Sequence, residues 1–318
     1  MRGTSTGRLL AVALISATVG LVGCSSSGTE DRTEGTRASE APPVDYKNPP
    51  EVESVPQMRG SRNLELPLEA YTWTDAEERV RRQGEDRIAA ECMRGFGFDL
   101  EPRPLYRGDK ALRDANRYGV SDMASASRFG YNTDPYLRGK RPEEHYTPAE
   151  SLALFGPQGD TGQKTAKAAN GKAIPEGGCW GQALRELASK GPKVHPDKEE
   201  FASHLALFAY QESQKDKRVQ KAFADWSACM KAKGYHYNGP MAPVEDERFA
   251  KSTTPTPAEI RVAEADVECK EKHNVIGTWY AVEVAYQKRA IESNQQMLDT
   301  LKQRKDAILR AASASTGR

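Results

Sequence analysis

The chain has 318 residues, 46 basic against 45 acidic side chains, a formal net charge of +1, and only 37% apolar and 8% aromatic residues. Charge this evenly balanced argues against a nucleic-acid binder, which normally shows a strongly basic domain or stripe. No second apolar run approaches the ~20 residues that cross a bilayer, which excludes a multi-span membrane protein. Length alone points to about two domains.

The first element in chain order is an export signal over residues 1–23. Arg2 and Arg8 supply a positive start, and the run LLAVALISATV from Leu9 supplies a short apolar core. An apolar core of this length ending in small residues marks a cleavable peptide rather than a span. It closes in Leu21-Val22-Gly23-Cys24, followed by Ser25-Ser26-Ser27-Gly28. This Leu-x-Gly-Cys ending resembles the bacterial lipobox, in which the cysteine thiol takes a diacylglycerol and becomes the first residue of the mature chain. The resemblance implies a lipid at Cys24 and a membrane partner through that anchor. At ~0.8 kcal/mol per buried CH₂, two acyl chains hold firmly where one does not. The competing reading is an ordinary secretory signal with a chance cysteine. Residues 24–70 then change composition to Ser, Thr, Glu, Pro and Gly, with little apolar content. Such a stretch reads as a disordered tether, with a coil reach of roughly 35–40 Å.

The folded body is expected to be mainly α-helical and to contain two related helical units, 71–192 and 193–318. Thr74-Asp75-Ala76-Glu77 forms a capping box, and Ala76, Val80, Ile88 and Cys92 follow it as one apolar stripe. That helix closes in Cys92-Met93-Arg94-Gly95-Phe96-Gly97-Phe98. A second stripe, Val219, Phe223, Trp226 and Met230, closes in Cys229-Met230-Lys231-Ala232-Lys233-Gly234-Tyr235. Aligned on the cysteines, both read Cys-Met-x3-Gly-aromatic. Downstream of each stands Thr-Pro-Ala-Glu, at 147–150 and 256–259, a capping threonine with proline in the first helical position. Each copy then reaches another cysteine, Cys179 and Cys269. This order of repeats points to a duplicated unit. Four cysteines besides Cys24 allow three pairings; the duplication favours Cys92–Cys179 and Cys229–Cys269. A metal site is the other reading, but no Cys-x-x-Cys pair is present.

The first copy carries an insert rich in aromatic residues. Tyr118, Phe129, Tyr131 and, beyond Gly177-Gly178-Cys179, Trp180 are candidates to line a groove. The same residues would equally pack the insert onto the helices. Helices are expected near 197–214 and 217–233, and one long helical stretch over 257–312. Beyond Ser293 that stretch turns polar, so its end reads as a projecting helix, a site for a protein partner, or a frayed terminus.

No motif for catalysis emerges. The five histidines, His145, His195, His204, His236 and His273, form no His-Glu-x-x-His helix, and no Gly-x-Ser-x-Gly elbow is present. The residues singled out so far, with the run from Asp216-x-Arg218-Val219 to Gly234-Tyr235, resemble secreted lipoproteins of actinobacteria that have no assigned activity. The resemblance covers 1–24 and most of 71–290. It implies a helical fold and an extracytoplasmic, lipid-anchored location on the outer face of the cell membrane. The expected role is binding or accessory work at the cell envelope, without catalysis, cofactor or nucleic acid. The alternatives are a solute-binding lipoprotein of an ABC importer, whose body would alternate strands and helices, and an envelope enzyme using His195, His204 or the aromatic insert.

Overall fold

The computed structural model describes residues 44–101, 114–132, 145–157, 166–250 and 254–314. The export signal, Cys24 and residues 25–43 lie outside them. The described residues from Val44 onward belong to one compact unit.

Among the described residues the fold is nine helices and one small hairpin: α1 (Asp75–Arg94), α2 (Met123–Phe129), α3 (Pro148–Phe155), β1 (Ala166–Lys167), β2 (Ala173–Ile174), α4 (Gly178–Ala188), α5 (Phe201–Lys215), α6 (Lys217–Ala232), α7 (Glu247–Ala250), α8 (Pro257–Lys272) and α9 (Val275–Ala314). The two strands pair antiparallel, Ala166 opposite Ile174. Three helices start on the same chemistry. Thr74, Thr147 and Thr256 each accept from the amide three residues on, while Glu77, Glu150 and Glu259 reach back to the threonine amide.

The repeated Cys-Met-x3-Gly-aromatic run is a helix-closing device. Phe98 N–H bonds Met93 O at 3.1 Å and Gly97 N–H bonds Arg94 O at 3.0 Å; Tyr235 and Gly234 repeat both bonds on Met230 and Lys231 at 3.0 Å. That is the paired bonding of a Schellman motif, which needs a left-handed residue. Gly97 and Gly234 supply it, at φ +90° and +88°. Each methionine is buried, and each aromatic packs onto the core its methionine enters. Disulfides join Cys92 to Cys179 and Cys229 to Cys269, with Cα atoms 5.5 and 5.8 Å apart. The copies differ in how they reach the second cysteine. In the second, α8 starts at Thr-Pro-Ala-Glu and itself carries Cys269. In the first, α3 stops at Gly156 and a separate helix, α4, carries Cys179.

α9 is the axis. It packs on α5, α6 and α8 and also on α1 and α4, so the helices of residues 71–192 and 193–318 interleave around one element. Its first half meets the largest core, with Trp226, Trp279, Tyr118 and Ile276 fully buried. Asn294 interrupts it (φ −134°, ψ 19°), its side chain bonding the Ala290 carbonyl at 2.9 Å. The second half does not project: Leu298, Leu301, Ile308 and Ala312 are buried against α1, α4 and α5. The apolar residues of the polar end beyond Ser293 are thus packed within the chain.

The tether expected over 24–70 is corrected at its C-terminal end. Residues 44–71 run along α9 toward its start and then back. Arg289 binds the carbonyls of Asp45 and Asn48, Arg218 that of Pro50 and Asn274 that of Pro56. On the return, Tyr280 donates to Glu65 O and Leu68 N–H to Gln287 Oε1. Leu64, Leu66 and Leu68 are buried. The strap is held chiefly through its backbone carbonyls, so its polar, proline-rich composition hid it.

Candidate functional site

The described surface holds a cleft of about 530 Å³ where α1, α4, the start of α5 and the second half of α9 meet. Trp73 and Ile308 contribute apolar wall, and Glu78, Arg81, Glu85, Glu200 and Arg304 stand among its charged groups. Adjacent residues of α9 brace its opposite walls. Arg304 donates to the carbonyls of Ala188 and Pro192 at 2.8 Å and pairs with Glu199 at 2.8 Å. Lys305, nearly buried, donates to Thr72 O at 3.0 Å and to Glu77 at 3.1 Å. Arg81 lies 5.4 Å over the Trp73 ring while bonding Glu78 at 2.9 Å and pairing with buried Glu85. Burial pushes the Glu78 carboxyl up, but Arg81 and Arg82 outweigh it and hold it below the usual carboxylate range. Among the charged lining residues five are carboxylates and two are guanidiniums, an excess of negative charge. Such a wall favours a cationic or amine-bearing group.

The four aromatic candidates do not share a groove. Tyr118 is fully buried in the main core, 4.8 Å from Trp279, and donates its hydroxyl to Glu283 at 2.7 Å. Tyr131 is half-buried, stacked on Phe249 at 5.8 Å. Phe129 ends α2 beside the Arg128 guanidinium. Trp180 belongs to the separate cluster around the first disulfide. A phenol in a dry core needs a hydrogen-bond acceptor, and Glu283 on α9 drew Tyr118 inward. None of the four lines the cleft.

His195 is an exposed turn residue whose ring accepts from Asp197 N–H at 3.4 Å, and His204 is half-buried on α5. Gly177 and Gly178 both take positive φ, and a Cβ on Gly178 would also collide with the Leu154 carbonyl. That Gly-Gly pair is a tight crossing of α4 over the end of α3. No group of three or more acidic, histidine or cysteine side chains is placed to hold a metal ion among the described residues.

Two buried polar centres were not legible in sequence. In one, Glu283 (0% exposed) accepts from Tyr118, from Gln287 at 2.7 Å and from Arg117 Nε at 3.1 Å. In the other, Asp266 and Lys270, one turn apart on α8, are enclosed with Trp226 and Tyr131. The i,i+4 spacing of Asp266 and Lys270 was the available signal, but such pairs usually lie on solvated faces. No protein-family model, curated protein or solved structure matches this chain.

Proposed function

We propose that the chain is a lipid-anchored protein of the outer face of the cell membrane, with a non-catalytic binding or accessory role at the envelope. The observation that carries the reading is Leu21-Val22-Gly23-Cys24 at the end of a short apolar run. Two disulfides bracing the body support it, since such bonds persist in oxidising compartments. The packed strap begins by Val44, so of the expected tether only residues 24–43 lie outside the described residues. No helix among the described residues is long and apolar enough to cross a membrane, so the lipid would do the holding. The braced, acid-rich cleft is the binding surface this reading assigns, for a cationic group. The importer-receptor alternative draws no support from the fold, because the only sheet among the described residues is a two-stranded antiparallel hairpin.

Fractionation tests the proposal. Cys24→Ala should move the full chain from the membrane fraction to the soluble one and abolish incorporation of labelled fatty acid. An unchanged membrane fraction overturns the anchor.

A further inference from the structure

Lys270 and Asp266 are 1% and 0% exposed, with Nζ 3.0 Å from Oδ2. Every polar atom of the pair has a partner outside it. Trp226 Nε1 donates to Oδ1 at 2.9 Å, Tyr131 O–H donates to Oδ2 at 3.3 Å, and Lys270 Nζ also donates to Val120 O at 2.8 Å. A Cβ on Gly119 would stand 2.8 Å from Nζ, so backbone closes over the amine directly. An ammonium and a carboxylate removed from water this completely are each held against a large desolvation penalty. Burial pushes the Asp266 carboxyl up and the Lys270 amine down, which favours passing the proton from Nζ to the carboxylate.

We propose that Lys270 and Asp266 close an intramolecular isopeptide bond, Nζ to Cγ, with loss of one water. After the proton passes from Nζ to Asp266, the neutral amine attacks Cγ. Oδ1 takes the developing negative charge against the Trp226 N–H, as an oxyanion donor would. Oδ2 leaves as water: the transferred proton makes it a hydroxyl, Tyr131 supplies the second proton, and Tyr131 is repaid by the proton that the attacking nitrogen sheds. The C–N bond forms, the Cγ–Oδ2 bond breaks, and nothing is oxidised or reduced. The product keeps two of the hydrogen bonds that the substrates made, while the Tyr131 hydroxyl gives up Oδ2 with the departing water. The remaining amide N–H faces Val120 O, and the amide oxygen stays on Trp226. A neutral, satisfied amide replaces two buried charges, next to the Cys229–Cys269 disulfide. The bond would lock the last turns of α8 and holds whether or not Cys24 is lipidated.

Tryptic mapping of the reduced, alkylated full chain reads this directly. Cleavage after Arg261 and Lys272, with Lys270 blocked, should release VAEADVECKEK lighter by one water as the main species. Lys270→Arg should abolish the light peptide, and Asp266→Asn should convert the loss to one ammonia, since the amide nitrogen then leaves. Tyr131→Phe should lower the cross-linked fraction several-fold in protein whose circular dichroism is unchanged; an unaltered yield removes Tyr131 as the acid. A wild-type peptide ending at Lys270 with a free amine overturns the proposal. So does a light peptide that trypsin still cuts at Lys270, the mark of a cyclic imide at Asp266.

Discussion

Asp216 sits at the corner between α5 and α6, its side chain 1% exposed. It accepts from Arg218 N–H at 2.9 Å, pairs with the Arg218 guanidinium at 2.7 Å and takes the Tyr286 hydroxyl at 3.3 Å. Burial pushes this carboxyl up, but Arg218 outweighs it and holds Asp216 below its ordinary value of 3.8. A carboxyl depressed in the fold contributes stability that is present above the unfolded value and lost as pH falls through the folded one. Asp216→Asn should therefore lower stability by about 1–3 kcal/mol at pH 7. In urea titrations the gap between variant and parent should narrow steadily below pH ~4. A gap independent of pH would show that Asp216 acts only as a neutral cap. The Asp216-x-Arg218 spacing was visible in sequence; that the pair lies beneath Tyr286 of α9 was not.

At the scale of elements, the matching helix ends offer a paired experiment. Nothing lies within 4 Å of a Cβ placed on Gly97 or Gly234, so the penalty at both is purely conformational. Gly97→Ala and Gly234→Ala should each lower unfolding free energy by about 1–2 kcal/mol, with asparagine milder at both positions. Unequal losses would mean that one of the caps opens without consequence. These ends, and the three capping boxes, were legible because each is written within seven consecutive residues. The close crossing of α1 and α9 was not: a Cβ on Gly84 would lie 2.6 Å from that of Ala312, two residues far apart in the chain.

At the scale of the molecule, the strap decides how much of the chain is folded body. Tyr46, Val52 and Met58 pack on the main core, and Gly277 has no side chain because the Pro56 carbonyl occupies that space. A chain beginning at Arg59 should be less stable than one beginning at Val44 by on the order of 3 kcal/mol, read from urea midpoints by tryptophan fluorescence. Equal midpoints would show that the strap rests on the body without stabilising it.

The sequence by itself determined the helical class, the caps, the repeated closing motif and the signal-like start, because these depend on neighbours in the chain or on a short periodicity. Only the tertiary structure decided the rest. It turned half of the expected tether into a strap, drew Tyr118 and Lys270 into the dry interior, and used the polar end of α9 to brace the cleft. Each of those outcomes rests on hydrogen bonds between residues tens to hundreds of positions apart, and a buried polar group is placed by where its partner lies.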